Sequence, residues 1–428
     1  MSISTTASMV VGTTERRSAA TRFGDIAFLE AGHGPAALFI HGVFLNADLW
    51  RHQLEGLADI RRCVAVDLLA HGESPCPASG ELTMALQVEM ILELLDSLGL
   101  DAVDLVGNDS GGAIAQLVAA RAPERVRTLT LTNCDTHDNW PPAAFAPIRD
   151  MAQEGILADA LGTLGGDLAA ARASLASGLE RPDDLPDDTI RGFFASFDAS
   201  PARAEAIQDY VAGMDNGVTV AIRDDLARLL APTLIVWGTA DEFFDVTWAR
   251  WLAQTIPGTV RFVALEGAKL FFPTERPEEF NRELRELWTH TEDHALLNRY
   301  LDAWNRHDLD QVVDAHSADT VLTLHTGAVS YSGTEAVRSA FRTDLGTWPD
   351  VKWSPIRRTV TAGVCVLEST ITATAASPVE ALGFTVDAGS TVRGSCVDLL
   401  TIKGGRIARK DTYFDVGELL ASGATQSQ

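Results

Sequence analysis

The chain has 428 residues and is 46% hydrophobic, enough for two or three domains of ~150 residues with buried cores. Its 59 acidic residues outnumber its 34 basic ones, and the formal charge of −25 repels phosphate backbones and anionic lipid. Nucleic acid and membrane surfaces are therefore excluded as favoured partners. The five cysteines (63, 76, 134, 365, 396) contain no CxxC pair and read as reduced thiols of a cytoplasmic protein, not as a disulfide framework or zinc site.

Residues 1–20 are rich in Ser, Thr and Ala and lack a basic start followed by an apolar core. They read as a flexible tail, not a signal peptide, and no window approaches ~18 consecutive apolar residues. From Arg22 to Cys134, short apolar runs alternate with amphipathic stretches such as LTMALQVEMILELLDSLGL. The runs are AALFI (36–40), RCVAVDLL (62–69), DAVDLV (101–106) and RTLTLTNC (127–134). Near-continuous apolar strands separated by helices predict a parallel sheet covered on both faces, an α/β class. Residues 140–228 hold no strong strand but much Ala, Leu, Asp and Arg, with several prolines, and read as a helical insertion. Strand character returns at APTLIVWGTAD (231–241) and VRFVALEG (260–267), and PEEFNRELRELWTH closes this region as a helix.

A second unit is predicted over residues 291–428. HALLNRYLDAWNRHDLDQVVDAHS reads as helix, turn and helix. VLTL, the helix GTEAVRSAFRTDL and several long alternating strands follow, ending in RIARKDTYFDV. Helices followed by a curled antiparallel sheet indicate an α+β domain.

The most informative stretch is VGNDSGG (106–112), a strand, a polar apex and the start of a helix. A nucleophile at a tight strand-to-helix turn needs small residues two positions before and after it. Gly107 and Gly111 have that spacing around Asp109. Centring the turn on Ser110 puts Asn108 at the earlier small position, a poorer steric fit. A third reading is a glycine-rich turn that only joins strand to helix.

On these motifs residues 21–290 resemble the α/β-hydrolase superfamily. HGVFLNADLW (41–50) matches the His-Gly loop after the third strand, and DLLAHGESP (67–75) the following loop, with Ala70 where glycine is usual. VGNDSGG matches the elbow and TLIVWGTADEFF the strand and loop of the catalytic acid. An aspartate at the apex resembles the haloalkane dehalogenase and epoxide hydrolase branch. The resemblance implies a helical cap (140–228), Asp109 as a nucleophile that forms an alkyl ester, and Asp241 as the acid. It also implies an oxyanion hole from the backbone N–H groups of Val43 and Ser110.

Three departures follow. Leu270 occupies the position of the expected histidine, in EGAKLFFPTERPEEF, and no histidine occurs between Asp138 and Thr289. Val43 and Ser110 stand where dehalogenases carry halide-binding side chains. The insertion holds one tyrosine, Tyr210, where epoxide hydrolases use two. His137 is the nearest substitute base or else a solvated loop residue; His41 shapes the oxyanion loop and His71 sits in the next turn. Lys269 either reaches a carboxylate or stays on the surface. With no imidazole between them, Asp109 and Asp241 would repel, and one of the pair would hold a proton.

Residues 291–420 resemble the SnoaL-like polyketide cyclases of the ketosteroid-isomerase-like fold, on LLNRYLDAWNRHD, YSGTEAVRSAF, VLESTITATAA and GGRIARKDTYFDVGELL. The resemblance implies a cone-shaped domain with an apolar pocket, and a homodimer by analogy. Its candidate acid–base residues are His325, Glu368, Asp398 and Asp411. Arg409, Tyr413 and Asp415 share a strand face with Asp411, and Tyr300 and Trp304 read as core. No metal-ligand spacing, phosphate loop or nucleotide fingerprint is present, so no cofactor is expected. Three functions stay open: an enzyme acting on a small, largely apolar substrate through Asp109; a cyclase, isomerase or epoxide-opening enzyme of secondary metabolism with its chemistry in the SnoaL-like pocket; and a non-catalytic binding or assembly protein.

Overall fold

The computed structural model describes residues 13–78, 80–361, 363–381, 384–422 and 425–426. They fall into two compact units that divide between Trp288 and Thr289. Among the described residues, no helix is long and apolar enough to cross a membrane.

The first unit is built on eight strands: β1 (Glu15–Thr21), β2 (Gly24–Ala31), β3 (Ala36–Ile40), β4 (Arg62–Val66), β5 (Val103–Asp109), β6 (Val126–Cys134), β7 (Thr233–Gly238) and β8 (Thr259–Leu265). Their order across the sheet is β1-β2-β4-β3-β5-β6-β7-β8. The first two pairings are antiparallel and the rest parallel. All five residues of β3 and all seven of β5 are buried, as strands covered on both faces must be. The helices Met84–Ser97 and Ser110–Arg121 pack on the sheet; Thr83 caps the first by accepting the Leu86 N–H.

β1 corrects the expected tail over residues 1–20. Six of those positions, Glu15 to Ala20, pair with β2, and Arg16 donates to the buried Asp67 carboxylate at 2.7 Å. The hairpin partner and the buried anion hold a segment whose own composition is unremarkable for a strand; residues 1–12 lie outside the described residues. Asp67 also accepts the N–H groups of Ala47 (2.8 Å) and Glu73 (3.0 Å), which ties the loop after β3 to the loop after β4. Ala70 has φ 66°, a left-handed conformation that costs a residue with a Cβ ~1–2 kcal/mol.

Between β6 and β7 the chain is helical: Ala146–Gln153, Leu157–Leu164, Leu168–Leu175, Asp187–Ala199 and Pro201–Ala212. These helices bury Leu161, Leu175, Phe193, Phe194 and Phe197.

The second unit contains β9 (His316–Leu324), β10 (Val329–Ser332), β11 (Lys352–Thr361), β12 (Val364–Thr374), β13 (Val379–Ala381), β14 (Phe384–Val386), β15 (Thr391–Lys403), β16 (Arg406–Phe414) and β17 (Thr425–Gln426). Six form the main sheet, in the order β10-β9-β16-β15-β12-β11, and β13-β14-β17 form a small one. The main sheet is not wholly antiparallel as expected, because β9 and β16 run parallel. β15 alternates strictly: Val392, Gly394, Cys396, Asp398, Leu400 and Ile402 are buried. That period of two puts one face on the helices Thr291–Asn305 and Thr334–Thr347, and Tyr300 and Trp304 lie in the resulting core.

Candidate active site

β5 ends on Asp109 with φ 56° and ψ −134°, and the next helix begins at Ser110. Such a conformation costs ~1–3 kcal/mol and persists only where its surroundings enforce it. They do so through close backbone approach. A Cβ on Gly107 would lie 2.5 Å from the Gly111 carbonyl oxygen, and one on Gly111 would lie 2.3 Å from that of Ile40. Gly42 presses its Cα against the apex: a Cβ there would lie 2.0 Å from Asp109 Oδ2. The backbone N–H groups of Val43 and Ser110 both donate to the Asp109 carboxyl. Asp109, not Ser110, thus occupies the strained position and receives the two amides.

Asp241 lies in the loop after β7. Its carboxylate accepts from Asn133 Nδ2 (2.6 Å) and from the N–H groups of Phe243 (2.8 Å) and Phe244 (3.3 Å). Burial pushes its pKa up to about 6 against the pull of these donors. Burial likewise raises Asp109 to about 7; the Asp241 charge adds to the rise and the two amides oppose it. A third carboxyl joins them. Asp135 directly follows β6, is 2% exposed, and has a pKa raised well above the usual range, by burial first and by Asp109 second. Its Oδ1 has no hydrogen-bond partner among the described residues.

Asp109 and Asp135 line a cavity of about 250 Å³. Its remaining walls are almost wholly apolar, among them Val43, Phe44, Trp140, Phe145 and Phe271. Leu270 also lines it, buried at the position where the family pattern has its histidine. Asp241, His41, His71 and His137 are not among the lining residues.

These three histidines lie outside the cavity wall. His41 accepts the Leu68 N–H on Nε2 (3.1 Å), so Nδ1 carries the proton and donates to the Gly42 carbonyl (2.7 Å). Burial lowers its pKa to about 4. His71 sits edge-on to His41, with ring centroids 5.2 Å apart, and burial lowers it to about 3. His137 packs edge-on against Trp251, with ring centroids 4.7 Å apart. Lys269 pairs with Glu242 at 2.9 Å, and the buried Tyr210 hydroxyl lies 3.8 Å from Met84 Sδ.

In the second unit two of the four candidate residues, His325 and Asp411, meet, and Glu368 and Asp398 have other partners. His325 Nε2 lies 2.8 Å from Asp411 Oδ1, and the ring stacks on Tyr413 at 4.3 Å. Arg409 Nε and Nη2 reach Asp411 at 2.6 and 2.7 Å and hold its carboxyl below the usual range. Glu368 pairs with the exposed Arg357 at 2.9 Å. Asp398 is buried against Lys410 and accepts from Thr412 Oγ1 at 2.6 Å. Asp415 caps the helix Val416–Ala421. None of these acids lines the unit's cavity of about 460 Å³, which is walled by Trp304, Trp348, Trp353, Ile371 and Phe414. The acid that does is Asp344, raised by burial to about 6 with Lys410 opposing. Sequence reasoning missed both Asp135 and Asp344. A polar residue directly after β6, where parallel strand ends converge, was the available signal for the first. Asp344 carried none beyond its place in a helix. Among the described residues, no three His, Cys, Asp or Glu side chains are grouped to hold a metal ion.

Comparison with known proteins fits both units. Residues 35–274 match the family model for the alpha/beta hydrolase fold, and residues 297–410 match that for a SnoaL-like domain. An uncharacterised protein of Mycobacterium tuberculosis is 28% identical over 320 residues, 70% of this chain and 88% of its own. Haloalkane dehalogenase 2 of the same organism is 29% identical over 265 residues, 60% of this chain and 88% of its own. The crystal structure of the haloalkane dehalogenase DbeA from Bradyrhizobium elkani superposes with a TM-score of 0.56 at 21% identity, covering 66% of this chain and 99% of that one. The chain belongs to the α/β-hydrolase family, as a hydrolase-like enzyme that carries a SnoaL-like domain behind its hydrolase fold.

Proposed function

We propose that the hydrolase unit acts on a small, largely apolar electrophile, with Asp109 as the nucleophile. One observation carries this reading: the Asp109 carboxyl faces an apolar cavity while receiving the N–H groups of Val43 and Ser110. One carboxylate oxygen attacks the electrophilic carbon, the bond to the leaving group breaks, and an ester forms on Asp109. The ester carbonyl oxygen remains on the two amides, ready for the oxyanion that water attack would create. The apolar walls strengthen these interactions by excluding water. Asp241 acts at one remove, since its charge raises the affinity of Asp109 for a proton.

Among the described residues, no histidine lines the cavity. General-base assistance typically contributes ~10²–10⁴-fold, so the ester is expected to be long-lived. The test is intact-protein mass spectrometry after exposure to a panel of alkyl halides, epoxides and activated esters. The expected result is an adduct that maps to Asp109 and is absent from Asp109→Ala. No adduct, or one that survives in Asp109→Ala, overturns the reading. The haloalkane dehalogenase relative supports the same class of chemistry.

A second reading rests on a separate observation, the larger cavity of the SnoaL-like unit with Asp344 in its wall. A carboxyl poised near neutral pH in apolar surroundings suits proton transfer in a cyclisation or isomerisation. Turnover that survives Asp109→Ala and vanishes in Asp344→Asn would place the chemistry there.

A further inference from the structure

We propose that Asp135 is the general acid of the hydrolase cavity, that it protonates an oxygen leaving group, and that epoxides are therefore the substrate class. The inference rests on the ester-forming role of Asp109.

Its first support is position. Asp109 ends β5, Asp135 directly follows the adjacent strand β6, and both residues line the same cavity. The second is the state of the Asp135 carboxyl. It is buried, its Oδ1 has no partner, and no basic side chain among the described residues pairs with it. Charge in that setting is costly, whereas a neutral carboxylic acid is tolerated and offers an O–H donor. The titratable groups set against it are Asp109, Tyr210 and Cys134, none of which is a cation.

The third support is charge balance during the reaction. Before reaction Asp109 is anionic and Asp135 is protonated. Asp109 Oδ attacks an epoxide carbon, the C–O bond of the ring breaks, and its electron pair goes to the ring oxygen. That oxygen takes the Asp135 proton. The products are a hydroxyalkyl ester on Asp109, which is neutral, and an Asp135 carboxylate. The pair carries one negative charge throughout, and the two acids are never ionised together. A halide leaves as a stable anion and needs no such donor, while an alkoxide does. In an epoxide the ring opens without losing the oxygen, which stays tethered beside Asp135.

The experiment compares two probes of equal chain length, a primary alkyl bromide and a terminal epoxide, on wild type and Asp135→Asn. The readout is the rate of adduct formation by intact-protein mass spectrometry. Asp135→Asn is expected to slow the epoxide ~10²–10⁴-fold more than it slows the bromide. The bromide arm reports that the variant is folded and that Asp109 still attacks. In wild type the epoxide rate is expected to rise and then fall with pH, since it needs an ionised Asp109 and a protonated Asp135, whereas the bromide rate rises to a plateau. An epoxide rate unchanged in Asp135→Asn, or an equal loss with both probes, overturns the role of Asp135 and leaves Asp109 as the nucleophile. Wild type that reacts with the bromide alone does the same. Wild type that reacts with neither probe overturns the Asp109 reading and this inference with it.

Discussion

The hydrolase cavity and the core of the SnoaL-like unit bury acidic side chains in opposite ways. In the hydrolase unit Asp109, Asp135 and Asp241 have no cation beside them among the described residues, and the first and last rise to about 7 and about 6. In the SnoaL-like unit the buried Asp398 is matched by the buried Lys410, and Asp344 alone is left to its cavity. A buried acid can escape the cost of its charge by taking a proton or by taking a partner. The first solution leaves a group able to exchange protons with a substrate. The second fixes a charge pair in place and leaves less for chemistry.

Breaking the pair should have the largest effect. Lys410→Met leaves Asp398 buried without its cation and is expected to cost ~3–5 kcal/mol in denaturant unfolding, most of it recovered when Asp398→Asn is added. If the single variant is as stable as wild type, the contrast between the units fails. The unpaired acids of the hydrolase cavity should behave inversely. A carboxyl whose folded pKa lies above its unfolded value favours folding at low pH, and that contribution fades as pH rises through the folded pKa. For Asp109 the fading spans roughly pH 4 to 7. Asp109→Asn is therefore expected to gain stability relative to wild type at pH 8, on the order of 4 kcal/mol, and to gain little at pH 4. Equal effects at the two pH values would contradict a raised Asp109. A smaller effect sharpens the link between the carboxyls: Asp241→Asn removes a charge that raises Asp109, so the midpoint of the pH–rate profile for adduct formation should fall below that of wild type. The smallest is a backbone change outside both cavities. Ala70→Gly relieves a φ of 66° and should stabilise by ~0.5–1 kcal/mol in thermal or chemical unfolding.

What was legible in the sequence follows the same division. Steric rules act over a few residues, so Gly107 and Gly111 pointed to the apex at Asp109, and strand periodicity put Asp398 on the face of Leu400 and Ile402. The absence of histidine from 138 to 289 was equally plain, and Leu270 fills the vacated place in the cavity wall. Ionisation is not local. Whether an aspartate is a surface charge, half of a buried pair or a proton-bearing acid depends on distant chain segments. Asp135 and Asp344 were therefore invisible as candidates, while Glu368, chosen on its strand position, is paired with an exposed arginine. β1 escaped notice because its partner strand and Asp67, rather than its own composition, hold it.

Ester formation on Asp109 leaves an isotopic trace. After one slow turnover of an epoxide in heavy-oxygen water, hydrolysis through the ester puts the label into the Asp109 carboxyl, because water attacks the ester carbonyl carbon there. Peptide mass spectrometry is expected to find the heavy oxygen on the peptide containing Asp109, with an ester still detectable beside it. Label found only in the diol, with an unmodified Asp109 peptide, would contradict the nucleophile.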